Sequence, residues 1–440
     1  MTVRGSCVVD FAVLVTVSPS LCPAEGPVHN RVLSCTIIVA QEFDCQLLDI
    51  SPMKIDSVKS FLVDNPPPQF GGPRWLFIKI GTDEGLSGVG EATYHTRMDH
   101  TALPLIDDLA EEYLIGQDPF QIEKIWNGIY EQRFVRRVGP ITSPILSAID
   151  IALWDIAGKA AGQPVYNLLG GRINDRLRAY SYLSGWRAGQ SGEKAAEMAL
   201  AYMEKGFTAV KFDPVDPRTT DRLEGLRDAA LVVRKVREAV GDRCDILIGT
   251  HGQFNTHSAI RFAKRVEEFD PLWFEEPVPP ENISEMARVA RATSIPVATG
   301  ERLFNKFEFV TMLEQKAASI LQFDLTISGG ILEARKIAAM AEAHYVQIAP
   351  HLYGGPVGAA ASMHIDACAP NFLIQEGIDD WGGFHADVLR EPLQWEDGYH
   401  IPPSKPGLGI ELNETVLDKH ATAVSGRRAG RTGIDYYTRF

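Results

Sequence analysis

From Asp245 onward the sequence repeats one short pattern: an apolar run that halts on a polar or charged residue. The runs are Asp245-Ile-Leu-Ile-Gly-Thr-His251, Leu272-Trp-Phe-Glu275-Glu276-Pro277, Val297-Ala-Thr-Gly-Glu301, Ile320-Leu-Gln-Phe-Asp324, Gln347-Ile-Ala-Pro-His351 and Phe372-Leu-Ile-Gln-Glu376. Between them lie segments with apolar residues three and four apart, such as Ile331 to Ala343, the spacing of a half-buried helix. Short buried strands alternating with helices pair in parallel through βαβ crossovers. Leu177-Arg-Ala-Tyr-Ser-Tyr-Leu183 and Ala209-Val-Lys-Phe-Asp213 extend the series upstream to eight strands. Such a set forms a (β/α) barrel, whose chemistry sits at the carboxyl ends of the strands.

At 440 residues the chain exceeds one small domain and suits a barrel with a second domain. Met53 to Val63 opens as a strand, Trp75 to Gly85 reads as a strand and turn, and Ser87-Gly-Val-Gly-Glu-Ala-Thr93 as its antiparallel partner. The insert Asn65-Pro-Pro-Pro-Gln-Phe-Gly-Gly-Pro-Arg74 cannot be regular structure. It is either a solvent loop or a lid presenting Phe70 and Arg74 to the barrel mouth. Residues 101–170 are helical, through Ile106, Leu109, Tyr113 and Leu114 and then Ile145 to Ala161, and Gly170-Gly171 ends them. The expected domains are 53–170 (capping), 171–378 (barrel) and 379–440, which returns to the capping domain. Residues 1–52 fit neither domain. Cys7 to Val17 could be a secretory core, but Asp10 interrupts it, and we favour an extension ahead of Met53 that stands outside the fold.

A net charge of −14 argues against a general nucleic-acid binder, which needs a basic face. An acidic protein that handles an anion must gather positive charge locally, with a metal or a few Lys and Arg side chains. No apolar run of about twenty residues is present, so no membrane helix is expected. Beyond residue 52 only Cys244 and Cys368 remain, with no CxxC pair, which points to reduced thiols in the cytoplasm and away from a thiolate zinc site.

Glu275 and Glu301 end successive strands one strand–helix unit apart, so both carboxylates should face one mouth. Two buried carboxylates side by side need a cation or a proton, and hard oxygen donors favour Mg²⁺. The competing reading is a salt bridge from one Glu to a base such as Arg302. Asp324 and His351 end neighbouring strands and can form a dyad, the Asp fixing the tautomer and raising the basicity of a general base. His251 ends the third strand, across the barrel, where it could protonate a leaving group. Glu376 could accept hydrogen bonds from substrate hydroxyls, and Lys211 could sit beside a substrate carboxylate. Asp213 could bind the metal or hold Lys211.

Three stretches resemble the mandelate racemase/muconate lactonizing branch of the enolase superfamily. Ser147-Ala-Ile-Asp-Ile-Ala-Leu-Trp-Asp-Ile-Ala-Gly-Lys159 with Leu168-Leu-Gly-Gly171 resembles its helix signature. Trp273-Phe-Glu-Glu-Pro-Val278 and Thr299-Gly-Glu-Arg302 resemble its metal-ligand strands, and Asp324 with Ala349-Pro-His351 its dyad. The likeness covers about residues 53–415 and is greatest to acid-sugar dehydratases of the galactonate and arabinonate type. It implies an α/β fold, a modified TIM barrel (β/α)7β under an N-terminal α+β capping domain. It also implies a Mg²⁺-dependent hydro-lyase. His351 would take the α-proton of a metal-chelated sugar acid, His251 would protonate the departing β-hydroxyl, and a 2-keto-3-deoxy acid would result. Substrate contacts would come from Glu376, Arg302 and Arg74, and the metal from Glu275 and Glu301. The family's first ligand is an Asp two residues before His251, where this chain has Gly249; Asp213, on the adjacent strand, is the candidate substitute. Asp245 should lie deeper in the strand. The expected partners are the sugar acid and further copies of the chain.

Two other readings are open. A racemase, epimerase or cycloisomerase would use the same intermediate, but many of these carry Lys-x-Lys on the second strand, where this chain has Lys211-Phe-Asp213. A non-catalytic sugar-acid binder would explain Gly249 but not the retained His251, Asp324, His351 and Glu376. If residues 1–52 stand outside the fold, a chain beginning at Met53 should be soluble and melt at the temperature of the full chain; a large drop in melting temperature would overturn that expectation.

Overall fold

The structure, a computed structural model, describes residues 53–94, 99–131 and 138–428. The expectation made for residues 1–52 lies outside these, as does the end of the segment 379–440 beyond residue 428. Among the described residues no helix is long and apolar enough to cross a membrane.

Strands β1 (Ile55–Asp64), β2 (Arg74–Thr82) and β3 (Ser87–Ala92) form an antiparallel meander. Helices α1 (Asp99–Leu109), α2 (Ile122–Glu131), α3 (Thr142–Ala161) and α4 (Val165–Leu168) follow. Alternation sorts the sheet's two faces. Leu76, Ile78 and Ile80 join the core under the helices, whereas Trp75, Phe77 and Val89 join the larger core shared with the barrel. Gly88 and Gly90 let β3 approach α3, because a Cβ at either would overlap the carbonyls of Ala152 and Ala148. Helix α3 is buried along nearly its whole length, which accounts for its lack of a polar face.

The barrel strands are β4 (Leu177–Tyr182), β5 (Ala209–Phe212), β6 (Asp245–Ile248), β7 (Trp273–Glu275), β8 (Val297–Thr299), β9 (Ile320–Leu321), β10 (Gln347–Ile348) and β11 (Gln375–Gly377). From β4 to β10 each pairs in parallel with the next. Strand β11 pairs with β4, and its run meets β10 through the single parallel bridge Ile348–Phe372, so the two edges come together. The intervening helices are α5 (Gly192–Glu204), α6 (Leu223–Val240), α7 (Thr256–Val266), α8 (Ile283–Ala290), α9 (Lys306–Glu314), α10 (Gly330–Ala343) and α11 (Pro356–Cys368). Four of them start on a side-chain cap, from Ser191, Asn255, Asn282 and Asn305, which accepts an otherwise unpaired N–H of the first turn.

The chain after the barrel divides. Helix α12 (Phe384–Asp387) precedes a hairpin of β12 (Gln394–Glu396) and β13 (Tyr399–Ile401), which pairs antiparallel with the first residues of β4. Helix α13 (Glu414–His420) then leads to β14 (Ala421–Arg428), which lies antiparallel to β1 as the fourth strand of the capping sheet.

Glu91 ties the capping sheet to the barrel. It faces the barrel opposite Phe77 and is buried. Its Oε2 accepts the Gly358 N–H at 2.8 Å and its Oε1 the Gly355 N–H, so one carboxylate closes the N-terminus of α11, just after His351. Burial, outweighing these bonds, pushes its pKa up to about 7. Glu91→Gln leaves one acceptor for two N–H groups. It should lower stability by about 1–3 kcal/mol, measured by denaturant unfolding; an unchanged midpoint would mean that the contact contributes nothing net.

Candidate active site

One residue from each barrel strand or its extension meets in a small central cluster: Tyr180, Ala209, Leu247, Trp273, Ala298, Ile320, Ala349 and Ile374. On the strands beside Trp273 the cluster has Leu247 and Ala298, and the indole meets the Tyr180 ring edge to face. Side chains alternate along a strand, so residues two further on also point inward, one level nearer the mouth. That level reads Tyr182, Lys211, Gly249, Glu275, Gly300, Gln322, His351 and Glu376. A further step of two gives Asp213, His251 and Asp324.

The hydrogen bonds bear out this stacking. Lys211 is buried with its ammonium 3.0 Å from Glu275 Oε1 and 2.7 Å from Glu376 Oε1. Glu275 Oε2 accepts from Trp273 Nε1 at 2.9 Å and Gln322 Nε2 at 2.8 Å, and Glu376 Oε2 from the Leu352 N–H at 2.9 Å. Burial disfavours the Lys211 charge, but Glu275 and Glu376 outweigh it and hold the ammonium well above its ordinary pKa. Burial likewise works against ionised Glu376, and Lys211 with His351 more than compensates, so its pKa is lowered.

Two histidine–carboxylate dyads flank the cavity above. His351 Nδ1 lies 2.8 Å from Asp324 Oδ2, and Asp324 Oδ1 is held by the Thr326 N–H at 2.8 Å and hydroxyl at 2.6 Å. This leaves His351 Nε2 facing the cavity, 3.7 Å from Glu301 Oε2 and 3.9 Å from Glu376 Oε2. Burial opposes the imidazolium, but Glu301, Glu376 and Asp324 prevail and push its pKa up to about 10. His251 Nδ1 lies 2.7 Å from Asp213 Oδ2, and that hydrogen bond, against burial, raises His251 to about 9. His251 has a left-handed backbone (φ +48°), which turns the chain out of the strand and aims its ring at the mouth. The cavity of about 480 Å³ is lined by both histidines, Lys211, Glu301, Glu376 and Arg302, and further out by Phe70, Tyr182, Ser184, Tyr353 and Ile378.

Several expected roles change. Arg74 does not line this cavity: its guanidinium is held bidentately by Asp99 at 2.6 and 3.0 Å, a planar pairing that a carboxylate at the start of α1 satisfies. Phe70, from the same insert, does line it. Arg302 borders the cavity, but its Nε binds Glu276 Oε2 at 2.6 Å. The salt bridge considered for the Glu pair thus falls on Glu276 for Arg302 and on Glu275 for Lys211. Glu275, Glu376 and Lys211 satisfy one another, because a buried charge takes the nearest counter-charge. Asp213 binds His251.

The donors suit a divalent cation in type. Among the described residues, six carboxylates, Asp213, Glu275, Glu276, Glu301, Asp324 and Glu376, form ion pairs with Lys211, Arg302 and the two histidines. Glu301 Oε2 and Asp213 Oδ1 are buried without a hydrogen-bond donor. Burial, reinforced by Glu276 and Glu275 against His351, raises Glu301 to about 7, a cost that a cation would relieve. Among the described residues no three potential ligands already converge on one point, since Lys211 takes up Glu275.

Sequence reasoning passed over Gln322, Thr326 and Tyr182. The two-residue step from Ile320 leads to Gln322, and an Asp two residues before Thr326 is an ordinary side-chain turn. Lys211→Met would leave Glu275 and Glu376 buried without their cation. It should destabilise the fold by on the order of 3–5 kcal/mol; a denaturation midpoint equal to the parent's would show that the ammonium does not anchor the barrel interior.

Comparison with known proteins accords with this architecture. Residues 71–170 match the model of the mandelate racemase/muconate lactonizing enzyme N-terminal domain, and residues 194–416 that of the enolase C-terminal domain-like family. A D-galactonate dehydratase of Pectobacterium atrosepticum is 39% identical over 354 residues, covering 78% of this chain and 90% of that protein. A solved structure from Burkholderia SAR-1, described as a mandelate racemase/muconate lactonizing enzyme, is 49% identical with a TM-score of 0.80 over 86% of this chain and 95% of its own. The mandelate racemase/muconate lactonizing enzyme from Jannaschia sp. CCS1 is 40% identical with a TM-score of 0.79, over 88% of this chain and all of its own. With family models spanning most of the chain and near-complete relatives at this identity, the protein belongs to the mandelate racemase/muconate lactonizing branch of the enolase superfamily.

Proposed function

We propose that this chain is a hydro-lyase that dehydrates a sugar acid, an aldonate or aldarate, to the 2-keto-3-deoxy acid. The observation that carries the reading is the pair of histidine–carboxylate dyads whose histidines line one cavity, His351–Asp324 at 2.8 Å and His251–Asp213 at 2.7 Å. Dehydration of a hydroxy acid needs a base at the carbon next to the carboxylate and an acid at the hydroxyl beyond it. Relatives named D-galactonate dehydratase support the same reaction class.

Glu301, with an oxygen that lacks a donor, would hold Mg²⁺, an ion suited to oxygen donors, and Glu275 would join it by giving up part of its contact with Lys211. Bound there, the ion supplies a Lewis acid that acidifies the carbon–hydrogen bond beside the substrate carboxylate. His351 Nε2, presented to the cavity by the bond from Nδ1 to Asp324, removes that proton. With Glu301 neutralised, less negative charge holds a proton on His351, which suits a base. His251, kept protonated by Asp213, gives its proton to the hydroxyl on the next carbon, and water departs. The electron pair of the broken carbon–hydrogen bond becomes the carbon–carbon double bond of an enol, which tautomerises to the keto acid. Lys211 supplies positive charge at the floor of the cavity, and Arg302 borders the mouth.

Opposed dyads would also suit proton removal on one face and return on the other, as in a racemase or epimerase. Aldonic and aldaric acids tested with Mg²⁺ separate the two, since only dehydration yields 2-keto-3-deoxy product. In deuterated water His351→Asn should abolish exchange of the proton beside the carboxylate, and Asp324→Asn should slow it by roughly two or more orders of magnitude. His251→Asn should retain exchange without releasing keto acid. Unchanged exchange in His351→Asn would remove that residue from the mechanism, and epimerised substrate without keto acid would favour the second reading.

A further inference from the structure

The level of the barrel that carries Lys211, Glu275, Gln322, His351 and Glu376 has glycine at position 249, on β6's extension. That glycine is not required by its own backbone, which is outside the left-handed region. What excludes a side chain there is Asp213: a Cβ built on Gly249 would overlap Asp213 Oδ1. The neighbouring strand therefore delivers a carboxylate into the space that residue 249 leaves open. Its two oxygens differ. Oδ2 is bonded to His251 Nδ1 at 2.7 Å, Oδ1 is buried and meets no donor in hydrogen-bonding geometry, and the Tyr182 hydroxyl lies close to the same carboxylate. Across the cavity Glu301, itself buried, also presents an oxygen without a donor. Two buried carboxylate oxygens without a donor, one on the residue that holds His251 and one on Glu301 in the cavity wall, are costly unless a cation completes them.

We propose that Asp213 is a bridging carboxylate: its Oδ1 takes the place, toward a divalent cation, of the side chain missing at position 249, while its Oδ2 positions His251. The inference rests on the metal-dependent reading above and extends it, since one residue then serves both the cation and the acid. It also makes 213 and 249 mutually exclusive. A carboxylate can enter this space from either strand, but not from both.

The test is calorimetric titration of metal-free protein with Mg²⁺ alone, with Mn²⁺ binding by paramagnetic resonance as a second readout. Four proteins are compared: the parent, Asp213→Ala, Gly249→Ala, and the double variant Asp213→Ala with Gly249→Asp. Asp213→Ala should weaken Mg²⁺ binding by roughly tenfold or more. Gly249→Ala should weaken it comparably, because its methyl group pushes Asp213 Oδ1 from its place with every charge retained. The double variant should recover most of the loss, since removing Asp213 opens room for an aspartate at 249. Thermal melting followed by circular dichroism checks folding. If Asp213→Ala does not fold, Gly249→Ala decides. Parent-like Mg²⁺ affinity in either single variant overturns the inference, as does a double variant no tighter than Asp213→Ala. Formation of keto acid by the parent is assayed separately, so dehydration without any metal-binding role for Asp213 would sink this proposal and leave the proposed reaction standing.

Discussion

A lysine ammonium enclosed by two carboxylates at the centre of a barrel sets the terms for the rest of this protein. Lys211 lies 3.0 Å from Glu275 and 2.7 Å from Glu376, with all three side chains buried. Such a cluster is stable only while every charge is matched, so the strands that carry it must hold their register closely. The apolar cluster beneath supplies that register. Trp273 belongs to that cluster with Ala209, Ala298 and Ala349 and also donates its indole N–H to Glu275.

Above the lysine the balance turns negative, beside the cavity that both histidines line. Glu301 and Asp213 each keep one oxygen without a donor, while the two histidines hang from carboxylates on opposite walls. The walls are fixed differently. Asp324 is clamped by Thr326 within its own loop. The His351 loop runs directly into α11, whose N-terminus is closed by Glu91 from the capping sheet. The capping domain thus reaches the His351 loop through a buried carboxylate as well as the cavity mouth through the insert that carries Phe70.

The strand ends were readable because a barrel obeys two periods at once, the strand–helix unit and the two-residue alternation. Glu275, Glu301, Asp324, His351 and Glu376 stand out since a polar residue closing a buried apolar run has few structural uses. Gln322 was passed over because an amide does not announce chemistry, and Arg74 was overvalued because an arginine in a Pro/Gly-rich insert looks free until Asp99 is placed beside it.

What the sequence determined by itself was local and periodic: the alternation of strands and helices, the polar strand ends, the glycine at 249 and the motifs that link the chain to its family. Those features depend on residue order alone. Pairing was decided only in three dimensions. Whether Lys211 meets a substrate or two glutamates, whether Asp213 turns to Lys211 or His251, and whether Arg302 reaches Glu275 or Glu276 depends on the stagger between neighbouring strands and on which counter-charge lies nearest. Alternation tells which side chains face inward, but the distances that choose among ionic partners differ by only an ångström or two, and tertiary packing sets them.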